Sequence, residues 1–325
     1  MIEELNIQRF RSEPVGIATG GESLEREISL KTGAAFEKAL VNRGYDVTVY
    51  DVPEDLEALA ADRPAAVLLG IHGGLGEGGA LQGFLESLNI PYTGSGVLAS
   101  ALAMDKHRTR RLCAAEGVPV ADAVWCAGSQ LHESPRLVER ASEEVGFPVV
   151  AKLNDAGSSF GVHICEDARQ LENALQQLAQ HVGDGASSGV LIEQMVEGPE
   201  YTVGFFDQEC LGVMEIRPAE GFYDVEAKYE SEDTEYIVVD DPAICEPLVG
   251  WSRTVLDAVG CRGVARVDFK GAVAESGPVV MLEVNTIPGM TATSLVPKMA
   301  ADRGVEFDEF VEAMVAAAKT DADQQ

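Results

Sequence analysis

The chain has 325 residues, 54 acidic against 24 basic, for a formal net charge of −30. At 46% hydrophobic it holds ample material for packed cores, and its length requires more than one, because single cores stop growing near ~250 residues. So acidic a surface excludes general binding to nucleic acid or anionic membrane, though not a local basic pocket, and no apolar stretch approaches the ~20 residues that span a bilayer.

In chain order, residues 14–19 form an apolar strand ending in Gly20-Gly21. A helical pattern follows over 24–42, with Ile28, Ala35, Phe36 and Ala39 on its apolar face and Gly44 closing it. Residues 45–52 alternate as a strand, and 65–71 are a continuous apolar strand running into His72-Gly73-Gly74. Strand, glycine-rich loop and helix in repetition mean α/β architecture, a parallel sheet with ligand loops at the strand C-termini. A second segment from about Gly94 predicts a helix over 97–115, a strand over 147–153, a Gly/Ser loop at 156–161, a helix over 168–182 and a strand over 189–194. The last part is rich in strands, at 201–206, 209–216, 263–269 and 279–284, and ends in an amphipathic helix over 308–319. Residues 222–235 carry too many charges for a core element and are expected to be a mobile loop.

Six cysteines, Cys113, Cys126, Cys165, Cys210, Cys245 and Cys261, show no Cys-x-x-Cys spacing. They are expected to be reduced core thiols, which predicts a cytoplasmic protein. The first fourteen residues have no apolar signal-like region, in keeping with that expectation. Eight lysines against sixteen arginines, with the acid excess, fit a salt-rich cytoplasm and equally a merely acidic protein.

The P-loop pattern is absent, so any nucleotide is bound another way. The strongest cluster is C-terminal. Arg266 and Asp268 alternate onto one face of a strand, and Glu283 and Asn285 onto one face of another. Two adjacent antiparallel strands would gather two carboxylates, a carboxamide and a guanidinium. Oxygen ligands without His or Cys suit Mg²⁺ with nucleotide phosphates; the alternative is an ion-pair ladder on a half-exposed sheet. Lys106, Lys152 and Lys228 stand where phosphates would be met, or are solvated lysines.

These strings, in order, resemble the D-alanine–D-alanine ligases of the ATP-grasp superfamily. They are Gly20-Gly21-x-Ser23-x-Glu25-Arg26-Glu27-x-Ser29-Leu30, His72-Gly73 with Gly79-x-Leu81-Gln82-Gly83, Pro91 to Gly96, Met104-Asp105-Lys106, Gly157-Ser158-Ser159, Phe222-Tyr223-Asp224 with Ala227-Lys228-Tyr229, Arg266-x-Asp268, and Glu283-x-Asn285-Thr286-x-Pro288-Gly289-Met290-Thr291 before Ser294-Leu295-Val296-Pro297. They span Gly20 to Pro297, leaving residues 1–13 outside. Gly78 stands where the family commonly has Asp, and Gln194 where a Lys often follows the Glu of the adenine-binding strand.

The resemblance implies an ATP-grasp fold, α/β with an α+β C-terminal part, preceded by a Rossmann-like domain. Residues 1–94 would be that domain, 95–192 the central subdomain and 193–325 the C-terminal subdomain. It implies ligation of two D-alanines with ATP through an acyl phosphate, for peptidoglycan precursors. Two Mg²⁺ ions, or Mn²⁺ in their place, would sit on Asp268, Glu283 and Asn285. Lys106, Lys152, Ser159 and Lys228 would face ATP phosphates. Glu193, Gln194, Met195, Val196 and Phe222 would surround adenine, with Glu200 on the ribose. Glu25 would pair with the first ammonium, near His72. Arg266 and the Gly289 N–H would stabilise the oxyanion, and Ser294 and the Leu295 N–H would take the second carboxylate. Tyr229, through Ser158 and Glu25, would lock residues 222–235 shut as a lid. Alternatives are Glu25 acting only at its helix N-terminus, His72 as a core histidine, D-lactate or D-serine as second substrate, and a nucleotide-binding regulator without catalysis. A homodimer is carried over from the family.

Overall fold

Six small or apolar residues, all buried, make β1 (Val15–Gly20) the centre of a three-stranded sheet in the order β2-β1-β3. β2 (Val47–Val52) and β3 (Ala66–Leu69) both run parallel to it, as the strand–loop–helix pattern predicts. Gly20 and Gly21 take φ of 89° and 90°, a region open to glycine, and turn the chain into α1 (Arg26–Asn42). α1 buries Phe36, Ala39 and Leu40 against the sheet. α2 (Leu56–Asp62), the single-turn α3 (Gly74–Glu77) and α4 (Ala80–Leu88) complete this part. The structure, a computed structural model, describes residues 6, 7, 9–157, 160–183, 185, 188–218, 234–273 and 277–324.

The helix predicted over 97–115 is two helices, α5 (Val97–Met104) and α6 (Lys106–Ala115). Asp105 breaks them with ψ of 88°, and its Oδ1 accepts the Arg108 N–H as the N-cap of α6. Apolar periodicity cannot show this break, because the helices follow each other without a glycine or proline.

A four-stranded antiparallel sheet, β4-β7-β5-β6, holds β4 (Ala123–Ala127), β5 (Val149–Leu153), β6 (His163–Cys165) and β7 (Gly189–Gln194). α7 (Ser134–Glu144) and α8 (Ala168–Leu178) pack on it; α8 stops four residues short of the expected end. A five-stranded antiparallel sheet, β10-β9-β8-β11-β12, holds β8 (Glu200–Phe206), β9 (Glu209–Arg217), β10 (Glu235–Val238), β11 (Val264–Gly271) and β12 (Val279–Asn285). α9 (Pro242–Val259), capped by Asp241, lies on one face with α5 and α6. α10 (Leu295–Asp302) lies on the other and joins α11 (Phe307–Ala316), which reaches back to α1. Glu235 therefore begins a strand, although the sequence assigns it to a loop.

The segment preceding β1 is tied into this junction. Phe10 is buried in the core shared by α1, α10 and α11, and Arg9 donates to the Ala318 carbonyl. Buried Glu312 on α11 pairs with Arg43 at 2.5 Å and Arg11 at 3.7 Å, and accepts from the Tyr45 hydroxyl.

Candidate active site

Two cavities meet at Glu283, which lines both. The first lies between the four- and five-stranded sheets. Lys152 at the end of β5 and Glu193 on β7 form its cationic and anionic wall, with Nζ and Oε2 2.5 Å apart and both side chains about nine-tenths buried. Glu193 also meets Arg110 of α6 at 3.3 Å. Asn154, just past β5, clamps the start of α6: its Oδ1 accepts the His107 N–H, and its amide donates to Asp105. That clamp swings Lys106 into the cleft, where Nζ donates to the Ala156 carbonyl and lies 3.3 Å from Glu283. Val196 is buried, Met195 half-buried and Gln194 exposed at the rim. The N–H groups of Gln194 and Met195 are bonded to the carbonyls of Asp122 and Pro148. Glu200, at the start of β8, is buried 3.7 Å from Lys270.

The second cavity lies between the parallel sheet and the edge of the five-stranded one. Arg266 and Asp268 do share a face of β11: Nε and Nη2 grip the carboxylate at 3.0 and 2.9 Å. Asp268 also accepts from Thr202 Oγ1 at 2.7 Å and Asn285 Nδ2 at 3.1 Å. Arg266 stands opposite Asn285, and Asp268 opposite Glu283, so the antiparallel neighbourhood expected from the sequence is present. Gly289 lies on the same cavity beside Ser294, the residue before α10; Ser294 Oγ accepts the Thr291 N–H, and Leu295 opens the helix.

Glu25 occupies the N-cap position of α1 without a side-chain capping bond. Its carboxylate reaches the cavity wall: a Cβ on Gly73 or Gly157 would meet Oε2 at 2.8 Å. His72 is both a wall of the cavity and a satisfied buried histidine. Its Nδ1 donates to the Ile287 carbonyl at 3.0 Å, so Nε2 must be the acceptor for Thr32 Oγ1, also 3.0 Å away. Burial, with a further contribution from the Arg266 charge, pushes its pKa down to about 4.

A sequence profile described as "D-ala D-ala ligase C-terminus" matches residues 112–316. The chain is 42% identical over 315 residues to the D-alanine–D-alanine ligase of Anaeromyxobacter sp. (strain K), covering 92% of this chain and 94% of that one. The chain belongs to the D-alanine–D-alanine ligase family. Its likeness to the ligase of Geotalea uraniireducens is 38% over 321 residues, covering 97% and 98% of the two chains. Among solved structures, the Bacillus anthracis D-alanine–D-alanine ligase complexed with ATP superposes with a TM-score of 0.77 at 30% identity, covering 94% and 97%. The VanG D-Ala:D-Ser ligase of Enterococcus faecalis gives 0.77 at 25%, covering 93% and 98%. The fold is thus the ATP-grasp fold expected from the sequence.

Within this ligase-family framework, Ser158, Ser159, Phe222, Lys228 and Tyr229 lie outside the described residues. Gly78 has a local cause: a Cβ there would come within 2.7 Å of the Gly74 carbonyl, so the tight single turn of α3 favours glycine. The sequence reading missed Arg110, Thr202, Lys270 and, above all, Glu77. Glu77 lines the second cavity, and its Oε2 accepts the Gly73 N–H at 2.7 Å. Burial first, then the Glu25 charge, pushes its pKa up to about 8. Its only signal in the sequence was an acid among five nearby glycines, Gly73, Gly74, Gly76, Gly78 and Gly79.

Proposed function

We propose that this chain joins two D-alanine molecules at the expense of ATP, giving D-alanyl-D-alanine, ADP and phosphate for peptidoglycan precursors. The observation that carries this reading is Glu283 on the wall between the two cavities. A phosphoryl group leaving a nucleotide in the first cavity can reach a carboxylate in the second without crossing bulk water.

A free carboxylate does not acylate an amine, because oxide is too poor a leaving group. Transfer of the γ-phosphoryl group to the first D-alanine carboxylate gives an acyl phosphate and ADP. The amine of the second D-alanine attacks the acyl carbon, the tetrahedral oxyanion collapses, phosphate leaves and the amine's proton is lost. Arg266 and Gly289 line the same cavity, and the guanidinium and the Gly289 N–H would carry the oxyanion charge. Ser294 and the Leu295 N–H, at the start of α10, would hold the second carboxylate. Glu25 would hold the first ammonium. Water must be kept out, since the acyl phosphate hydrolyses; Ser158, Tyr229 and the 222–235 segment belong to this reading as its lid.

Lys106 and Lys152, with Ser159 and Lys228, would take the phosphates. The engaged N–H groups of Gln194 and Met195 leave the Val196 N–H and the strand carbonyls to read the base edge, with Phe222 beside it and Glu200 on the ribose. Glu193 serves less as a base contact than as the counter-charge that holds Lys152 and Arg110. Among the described residues, no three His, Cys, Asp or Glu side chains are grouped so that they could hold a metal ion by themselves. The donors present are two carboxylates and a carboxamide whose N–H₂ is turned to Asp268, leaving its oxygen for another partner. So few hard oxygens fit magnesium, which keeps waters and takes its remaining ligands from phosphates. Asp268, Glu283 and Asn285 would hold two such ions, or manganese, which neutralise phosphate charge when bound.

The same reading divides the chain at residues 94 and 192 and places a homodimer in the cytoplasm. The three sheets support the division, although α5 and α6 send Ala99, Ala103 and Cys113 into the core of the five-stranded sheet. Phosphate release and product analysis with D-alanine, D-serine and D-lactate test the reading. Dipeptide from D-alanine supports it; ester or D-alanyl-D-serine as the main product would move the second substrate, and no ATP turnover with any of them would leave a nucleotide-binding regulator.

A further inference from the structure

Three carboxylates line the substrate cavity among the described residues: Glu25, Glu77 and Glu283. Glu77 alone has no role so far. It is 8% exposed and forms no ion pair among the described residues. Glu77 and Glu25 come from different elements and converge on one glycine. Glu77 Oε2 accepts the Gly73 N–H at 2.7 Å, and Glu25 Oε2 stands 2.8 Å from where a Gly73 Cβ would be. The nearby cation, Lys106, is already committed to Glu283 and the Ala156 carbonyl.

Glu77 is buried and Glu25 half-buried, and two carboxylates brought together disfavour each other's ionisation unless a cation lies between them. The proposed reaction supplies that cation, the ammonium of the first D-alanine, and this inference rests on that reading. We propose that Glu77 is the second carboxylate of the ammonium seat, so that Glu25 and Glu77 hold the first substrate's nitrogen from two sides. An ammonium offers three donors and a full charge to such a pair. The hydroxyl of a 2-hydroxy acid offers one donor and no charge, and so does nothing to favour the ionised form of Glu77. Glu77 would therefore set the preference for an amino acid over its isosteric hydroxy acid in the first subsite.

Glu77→Gln separates this role from simple support of the loop, because the amide oxygen can still accept the Gly73 N–H while the charge is gone. Calorimetric titration of the full-length protein with D-alanine, and separately with D-lactate, reads the seat without turnover. Glu77→Gln is expected to weaken D-alanine binding by about tenfold or more, the scale of a charge-assisted bond, with D-lactate binding little changed. ATP binding should stay within about twofold, and the Tm at pH 8 should equal or exceed that of wild type. D-alanine affinity within twofold of wild type would overturn the proposal and leave Glu77 as a support for Gly73. Glu25→Gln provides an independent check, should Glu77→Gln fold poorly. With Glu77 still in place it should keep part of the D-alanine preference, and complete loss of that preference would assign the ammonium to Glu25 alone. Dipeptide formation by wild type tests the function separately, so either idea can fail without the other.

Discussion

Asp268 and Glu283 stand directly opposite each other on β11 and β12, two acids in a position where like charges ordinarily destabilise a sheet. The register shifts immediately beyond them, between Asp268 and Phe269, and a bulge of this kind re-aims side chains next to a site. Arg266 on Asp268 and Lys106 near Glu283 offset the repulsion without removing either charge. The arrangement makes sense as a place for added positive charge.

Glu283→Gln is therefore expected to leave the fold intact and to abolish turnover. If Glu283 serves both of the proposed ions, removing its charge should weaken both. Activity above about a tenth of wild type, equivalent to ~1.4 kcal/mol of barrier, would remove Glu283 from the ligand set.

Lys152 and Glu193 form a buried pair, and breaking such a pair strands a charge, at a cost of roughly 3–5 kcal/mol where no other partner remains. Arg110 remains beside Glu193, so Lys152→Met should lose stability at or below the low end of that range, as read by denaturant unfolding. It should also raise the KM for ATP. Adding Glu193→Gln should restore much of the stability but not the ATP affinity. Recovery of both together would mean that Lys152 serves only Glu193.

The site was legible where alternation or motif order fixed it. Arg266 with Asp268, and Glu283 with Asn285, follow from the two-residue strand period, as β2 does from its alternation, and β1 and β3 from apolar runs ending in glycine. What escaped depends on contacts between distant segments. Asp105 reads as part of a helix until Asn154, far along the chain, is seen clamping the next turn. Glu77 reads as a turn residue until Glu25 is seen on the other side of Gly73. α9 begins with an Asp241-Pro242 signal that went unread, with Pro247 inside it arguing against a helix.

The charge of −30 gives a further expectation. Self-repulsion at low ionic strength should be relieved as the screening length falls toward ~3 Å in molar salt. Thermal stability should rise with KCl from low to molar concentration. A Tm that stays flat or falls over that range would leave a merely acidic surface with no adaptation to salt.

His72 joins the two halves of the substrate cavity, with Thr32 of α1 on Nε2 and the Ile287 carbonyl beyond β12 on Nδ1. Burial holds its pKa near 4, against an unfolded value near 6.5. The unfolded chain thus binds the extra proton between those values, and stability must rise with pH across that window. The contribution is fully present above about pH 6.5 and is lost as pH falls through the folded value near 4. Between pH 7 and pH 5 the expected loss from this residue is about 2 kcal/mol. Carboxylates titrate over the same range, so the test is a difference of slopes. His72→Asn keeps an amide that can donate to the Ile287 carbonyl but cannot take up a proton. Its unfolding free energy should fall less than that of wild type from pH 7 to pH 5, by about the same 2 kcal/mol. Parallel pH profiles for the two proteins would show that His72 is not held neutral by the fold, and that the bond across the cavity is made by a charged ring.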